Sequence, residues 1–514
     1  MSAMAVGNAG DPGGSGDLLG DEAEVDATTA ARMRRPIWLA ILAAMVVFLA
    51  IYGVWNRQTS EAADDKSAET PGALLQAETA EGTSLAAVGR ATGLDSPCTA
   101  WLLDTGAPAT AQAYAVTTGT CVGVSDPTTI LTAEPVRGAT AAFRAFAPRT
   151  ASGRVELVET PIQEVVWASA RGTDLALLRL GATYGDLSDR GVRPIRPVAP
   201  LPEDAQILIA GVPVAGIAPS EQYLRGSRCQ VGPTTDVLED SALWHDLQSS
   251  TCRGIIGGSQ GSVVLNQAGE AVGMVNSSTI AADDGQDCAL GRPCEVSAGG
   301  VTVAENHSYM VPVDSLAGCF PEGEFALGVR CGLEDPMSVV VAQVGTSVAS
   351  PGASVKIQFE DRNPNAAEAE LKSGPLAETD CRDLADWELA RPPYTVTMPS
   401  QEGFALVCVG SADQPTELVV RVDTSAPDPA TIELRQTRVE GGVRVEPVVD
   451  PPDLVGFRWV SGPKGAIDCA TAEGYVLYQG APALVEAADM PSTVCVIGID
   501  EAGNESAPSS HDVE

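Results

Sequence analysis

Ser259 lies in Arg253–Asn266, RGIIGGSQGSVVLN, flanked by glycines, after Cys252 and just before an apolar run. Glycines at such a point let the backbone turn sharply and bring N–H groups close to a reacting carbonyl. A hydroxyl presented there could attack that carbonyl, provided a neighbour takes its proton. The same serine also reads as an ordinary residue of a glycine turn, hydrogen-bonded to nearby backbone. Proton carriers are scarce, because the chain has only three histidines, His245, His307 and His511. His245 reads as a surface or loop residue, His307 as the structural start of a late strand, and His511 as part of the C-terminal tail.

The chain also carries twelve cysteines: Cys98, Cys121, Cys229, Cys252, Cys288, Cys294, Cys319, Cys331, Cys381, Cys408, Cys469 and Cys495. An even set of this kind implies disulfides in an oxidising compartment. Spacing does not prove connectivity, and neighbour pairing is the simplest expectation because each pair falls inside one structural unit. No C-x-x-C pair and no Cys/His cluster of zinc spacing occurs, so no metal site and no cofactor are expected.

The Ser259 segment resembles the G-x-S-G-G-P-V nucleophile loop of the trypsin-like serine proteases. Gly257, Gly258 and Ser259 take the first three positions, while Gln260 and Ser262 replace a glycine and the proline. The spacing from Cys252 and the preceding Trp244-His245-Asp246 are similar to bacterial glutamyl-endopeptidase relatives. Two more blocks come in the family's order. Cys98–Cys121, CTAWLLDTGAPATAQAYAVTTGTC, resembles the block whose cysteines bridge around the catalytic histidine. Arg171–Leu180, RGTDLALLRL, resembles the strand carrying the orienting acid, which would be Asp174. Further on, Glu270–Ser278 resembles the strand lining the substrate cleft. His307–Phe320 resembles the closing strand and short C-terminal helix. The resemblance implies a two-barrel domain over residues 96–334, with an oxyanion hole built from the N–H groups of Gly257 and Ser259. Within that domain Cys229–Cys252 would staple the stretch before the nucleophile loop, Cys288–Cys294 would close a short loop, and Cys319–Cys331 would tie down the end.

The departure from the family is at the base. The first block ends Thr117-Thr118-Gly119-Thr120-Cys121, which puts Thr120 at the histidine position. The triad needs a group that takes the serine proton near neutral pH and returns it to the leaving amine, and a threonine hydroxyl lacks that basicity.

The elements around these residues set a mainly β architecture with several domains. The chain has 514 residues, 52 of them Gly and 36 Pro, which suits turn-rich strands better than a helical bundle. A net charge of -37 argues against nucleic acid and against anionic lipid headgroups as partners of the soluble part. Pro36–Trp55 carries no charge and is long enough for one transmembrane helix. Arg32, Arg34 and Arg35 precede it, whereas Glu61, Asp64 and Asp65 follow, so a cytoplasmic N-terminus is expected, with everything after Trp55 across the membrane. Residues 1–35 read as a disordered tail and 56–95 as a spacer.

Past the protease-like blocks, residues 335–425 and 426–514 read as two β-sandwich modules, related by duplication. Each places its cysteines similarly, Cys381 and Cys408 in the first and Cys469 and Cys495 in the second. VCVIGIDEAGNESAP resembles the closing strand and turn of bacterial fibronectin type III or immunoglobulin-like modules. Their simplest duty is that of a spacer or stalk.

The expectation is a membrane-anchored, extracytoplasmic protease homologue of impaired catalysis, in the periplasm or at the cell surface. It would bind a peptide or protein, or scaffold an envelope complex. The alternatives are an active serine endopeptidase using another base, and an adhesion protein acting through its C-terminal sandwiches.

Overall fold

The computed structural model describes residues 71–77, 84–148, 156–214, 217–256, 258–280, 282, 287–328, 330–336, 342–359, 369–410, 415–450, 454–480 and 483–513. The tail of residues 1–35 and the apolar segment 36–55 lie outside them. Among the described residues no helix is long and apolar enough to cross a membrane.

The first barrel is made from β2 (Val88–Thr92), β3 (Cys98–Leu103), β4 (Gln112–Thr117), β5 (Ile130–Pro135), β6 (Thr140–Phe143), β7 (Val158–Ser169) and β8 (Leu175–Thr183). Antiparallel pairings run β2–β3–β4–β8–β7–β6 and back to β2, which closes a six-stranded ring, with β5 added outside on β7. Closure leaves no free edge on the ring. The sequence reads this way locally because its strands alternate. In β7, Val158, Thr160 and Ile162 are buried between exposed Glu159, Pro161 and Gln163. Trp101, Tyr114, Phe143 and Trp167 fill the interior.

The second unit begins with β1 (Ala73–Leu74) and continues with β9 (Gln206–Gly211), β10 (Arg225–Gln230), β11 (Thr234–Glu239), β12 (Ala242–Ser250), β13 (Val263–Leu265) and β14 (Ala271–Ser278). The strands β15 (Cys294–Ser297), β16 (Gly300–Thr302) and β17 (Ser308–Pro312) complete it. They form one antiparallel sheet in the order β1-β10-β9-β13-β14-β17-β12-β11-β15-β16. After β17 the chain makes a 3-10 turn at Asp314–Gly318, where the sequence suggested a short helix.

The spacer reading of residues 56–95 needs correction at its end. Ala73–Leu74 pair with Gly226 and Arg225, and Val88–Thr92 is a strand of the closed ring. Leu85, Ala87, Val88 and Ala91 are buried. These few apolar residues are diluted by Ala/Glu/Thr-rich neighbours, so average composition hid a strand that pairs with β3 directly after it and with β6.

Residues 342–426 carry a five-stranded sheet, in which Gly403–Gly410 and Thr416–Val422 are central, and two smaller pairs. Residues 430–513 form two facing sheets of three and four strands. Val443, Val445 and Val485 of one meet Phe457, Val494 and Val496 of the other.

All six disulfides join neighbouring cysteines. In the ring and the ten-stranded sheet unit Cys98 is bridged to Cys121, Cys229 to Cys252, Cys288 to Cys294 and Cys319 to Cys331. In the modules Cys381 is bridged to Cys408 and Cys469 to Cys495. Cys229 lies on β10, so its bridge fastens that strand to the stretch leading into the Ser259 loop. Cys319 follows the 3-10 turn after β17, and its bridge to Cys331 holds the end of the peptidase-like domain against that turn. The two module bridges each tie a loop to an equivalent long strand, with Cys408 on Gly403–Gly410 and Cys495 on Ser492–Asp500.

The first module is not a detached stalk. Leu238, Leu243 and the Cys288–Cys294 bridge share one apolar core with Leu376, Leu406, Val419 and the Cys381–Cys408 bridge. Burial on both sides of this seam makes the two parts fold as one. Leu406→Ala, a truncation at a buried site, is expected to cost about 3 kcal/mol and to lower a single shared unfolding transition. Calorimetry that resolved a separate, unshifted transition for the barrels would contradict this.

Candidate active site

Asp174 ends the loop that follows β7 and is only 1% exposed. Its carboxyl collects donors from the closed ring and from the ten-stranded sheet. The Thr120 N–H reaches Oδ1 at 2.9 Å, the Thr120 hydroxyl reaches Oδ2 at 3.2 Å, and Asn276 Nδ2 reaches Oδ2 at 3.2 Å. Thr120 opens a single 3-10 turn, Thr120–Val122, beside the Cys98–Cys121 bridge. Its hydroxyl also lies 3.1 Å from the Thr118 hydroxyl, but carries one proton, and a carboxylate is the stronger acceptor. Burial pushes the Asp174 carboxyl up to about 7, against the pull of the Thr120 N–H, and buried Glu239 pushes it further up. Asn276 and Glu239 were not found from the sequence. Asn276 sits in a strand recognised only as a cleft wall. Glu239 ends β11, where only two apolar residues, Val237 and Leu238, precede it, and its burial depends on partners elsewhere in the chain.

Ser259 is 4% exposed, in the loop between β12 and β13. The loop is wedged between the barrels. Gln260 accepts the Thr99 N–H at 3.1 Å, and the Gly261 N–H donates to Val275 at 2.9 Å. At Gly261 φ is +82°, and a Cβ would lie 2.0 Å from the Thr99 carbonyl oxygen, so only glycine fits.

The expected oxyanion hole is not open at Ser259. Its N–H donates to the Ile256 carbonyl at 3.2 Å and so is spent inside the loop. Gly257, the other expected donor, lies outside the described residues. The preceding carbonyls are fastened too. Ser227 Oγ donates to Arg253, the Gly72 N–H to Gly254 at 3.3 Å, and Ser278 Oγ to Ile255 at 2.8 Å. Among the described residues, no hydrogen bond links the Ser259 hydroxyl to Thr120 or Asp174.

The geometry is therefore a serine loop on the ten-stranded sheet and a buried acid on the closed ring, with a threonine on the acid. Residues 117–274 match the trypsin-like peptidase domain family. That span includes Thr120, Asp174 and Ser259 and stops just short of Asn276. No curated protein sequence matches the chain. Among solved structures, the chain is similar to the MamO protease domain of Magnetospirillum magneticum (16% identity, 46% of this chain and 95% of that one, TM-score 0.29). It is also similar to human heparin binding protein (13%, 48% and 93%, TM-score 0.30) and to the scabies mite inactivated protease paralogue S-I1 (12%, 40% and 87%, TM-score 0.29).

The histidines of this peptidase-domain homologue are occupied elsewhere. His245 is not the plain surface residue read from the sequence, for it stands between Asp236 (3.0 Å) and Glu417 of the first module (2.7 Å). Burial lowers its affinity for a proton, but the two carboxylates outweigh that and hold it up to about 10. His307 bonds the Glu305 carbonyl through Nδ1 and stacks on Tyr309, and His511 lies in the last strand of the second module. Among the described residues, no cluster of His, Cys, Asp and Glu is arranged to hold a metal ion.

Glu239 is buried like Asp174, accepts the Gly291 N–H at 2.6 Å, and is likewise pushed up to about 7 by burial. Both acids keep a proton in the folded chain at a pH where the unfolded chain, with values of 3.8 and 4.5, has lost it. The folded state binds more protons between about pH 4 and 7, so these groups stabilise it at low pH and that contribution is lost as pH rises through the window. Glu239→Gln keeps an oxygen for Gly291 and removes one titration. Melting temperatures of the full-length chain from pH 4.5 to 8 should therefore fall less steeply with pH in this variant. An unchanged slope would remove Glu239 from the explanation.

Proposed function

We propose that this chain is a membrane-anchored, extracytoplasmic homologue of the trypsin-like peptidases that is impaired in catalysis. It acts by binding peptide or protein at the former cleft, or by scaffolding an envelope complex. The observation that carries this reading is the Thr120 hydroxyl on Asp174. The group at the base's position can donate to the acid but cannot take the Ser259 proton at neutral pH. Losing the base of a comparable triad costs on the order of a millionfold in turnover, about 8 kcal/mol of transition-state stabilisation. The bond from the Ser259 N–H to Ile256 supports the same reading, since a developing oxyanion would have to displace it.

The anchor rests on the uncharged Pro36–Trp55 run and the arginines before it. Six disulfides are what an oxidising exterior favours, whether periplasm or cell surface. The likeness to glutamyl endopeptidases carries no substrate preference, because no histidine stands near Val275–Thr279. A second reading takes the C-terminal modules, with their resemblance to fibronectin type III or immunoglobulin-like folds, as an adhesive surface. Exposed Val455, Val476, Leu477 and Leu484 on the second module favour it.

Hydrolysis of casein and peptides by the full-length chain, beside Thr120→His and Ser259→Ala, tests the main reading. The natural chain should cleave no faster than Ser259→Ala, and a serine-reactive phosphonate should leave Ser259 unlabelled. Stoichiometric labelling, with cleavage abolished by Ser259→Ala, would establish instead an active endopeptidase that uses another base.

A further inference from the structure

The loop bearing Asp174 is held from outside the peptidase-like domain. Arg171, three positions before Asp174, is 6% exposed. Its Nη1 donates to the Thr416 hydroxyl at 2.8 Å, its Nη2 to the Pro415 carbonyl, and its Nε to Glu334 at 2.6 Å. Thr416 and Pro415 belong to the first module, some 245 residues further along the chain. The next residue, Glu417, bonds His245 at 2.7 Å. Trp244, beside His245, returns to the loop through its indole N–H on the Ala170 carbonyl at 2.9 Å. Ala170 adjoins Arg171, so the contacts close a ring: Arg171 to Thr416, Glu417 to His245, Trp244 to Ala170.

We propose that Arg171 is a positioning residue through which the first C-terminal module sets the place of Asp174. The backbone transmits this over a short path. The Arg171 N–H is bonded to Ser169 Oγ at 2.9 Å, and the Arg171 carbonyl accepts the Thr173 N–H at 2.6 Å, next to Asp174 itself. A planar guanidinium can serve three acceptors in fixed directions at once, which a lysine ammonium on its flexible stem cannot reproduce. Thr416 is fully buried, so removing its hydroxyl leaves a buried charged donor short of a partner. The module is thus an intramolecular ligand of the cleft, whether that cleft binds or cleaves.

The Thr120 amide reports on this coupling, because its N–H is bonded to Asp174. Hydrogen exchange of the full-length chain should be compared with Thr416→Val, which is nearly isosteric, and with Arg171→Lys. Exchange at Thr120 and at residues 172–176 should rise about tenfold, as losing one hydrogen bond to a charged group would give. Residues 206–211 and 492–500 should not change. Thr416→Ser, which restores the acceptor, should return Thr120 to its natural rate. A uniform rise throughout the chain would mean that the ring serves only global stability. No rise at Thr120, with loosening confined to residues 415–418, would mean that the module does not reach Asp174. Either result overturns the proposal. If Arg171→Lys does not fold, the Thr416 pair decides the matter alone.

Discussion

A carboxyl group removed from water is tolerated only where other donors replace the lost solvent, and even then at a cost. At Asp174 the donors come from the 3-10 turn after β4, on the closed ring, and from β14, in the ten-stranded sheet. The acid therefore works as a pin across the domain interface. Thr120 must sit where it does for the pin to hold, and the Cys98–Cys121 bridge fixes the turn that presents it. Asn276 must point inward from the cleft strand. Much of the geometry around the site follows from satisfying this one group.

That requirement also explains how Asp174 is held without a histidine beside it. A hydroxyl, a backbone N–H and a side-chain amide meet the hydrogen-bonding demand of the acid, so the interface stays intact with no imidazole on Asp174. The serine loop is stabilised by different means. Four successive carbonyls, from Arg253 to Ile256, are each bonded by a separate donor, and the last of these donors is the Ser259 amide. None of these four bonds uses an imidazole, while the loop is tied across the interface through Gln260 to Thr99 and through Gly261 to Val275, the neighbour of Asn276.

How much of this was legible in the sequence depended on range. The blocks around Thr120, Asp174 and Ser259 were readable because their residues lie within a few positions of each other. Neighbour pairing of cysteines was readable for the same reason, down to the short loop between Cys319 and Cys331 and the matched pairs Cys381–Cys408 and Cys469–Cys495. Asn276 and Glu239 were not readable, since each acquires meaning only from partners on other strands. The spent Ser259 amide was hidden too, because it depends on which way a glycine-rich backbone turns. The seam between barrels and first module was the largest omission. Leu238 and Leu406 carry no sign in the sequence that they meet.

The disulfides and the seam differ in one further respect, their span along the chain. No bridge joins cysteines more than 27 residues apart, and none crosses from the barrels into a module. Each can therefore close as soon as its own short stretch enters an oxidising space, before anything later has been made. The contact between Arg171 and Thr416 has the opposite character, since its partners lie 245 residues apart. The covalent links are thus all local, whereas the setting of Asp174 calls on a segment that lies beyond every strand of the ring and the ten-stranded sheet.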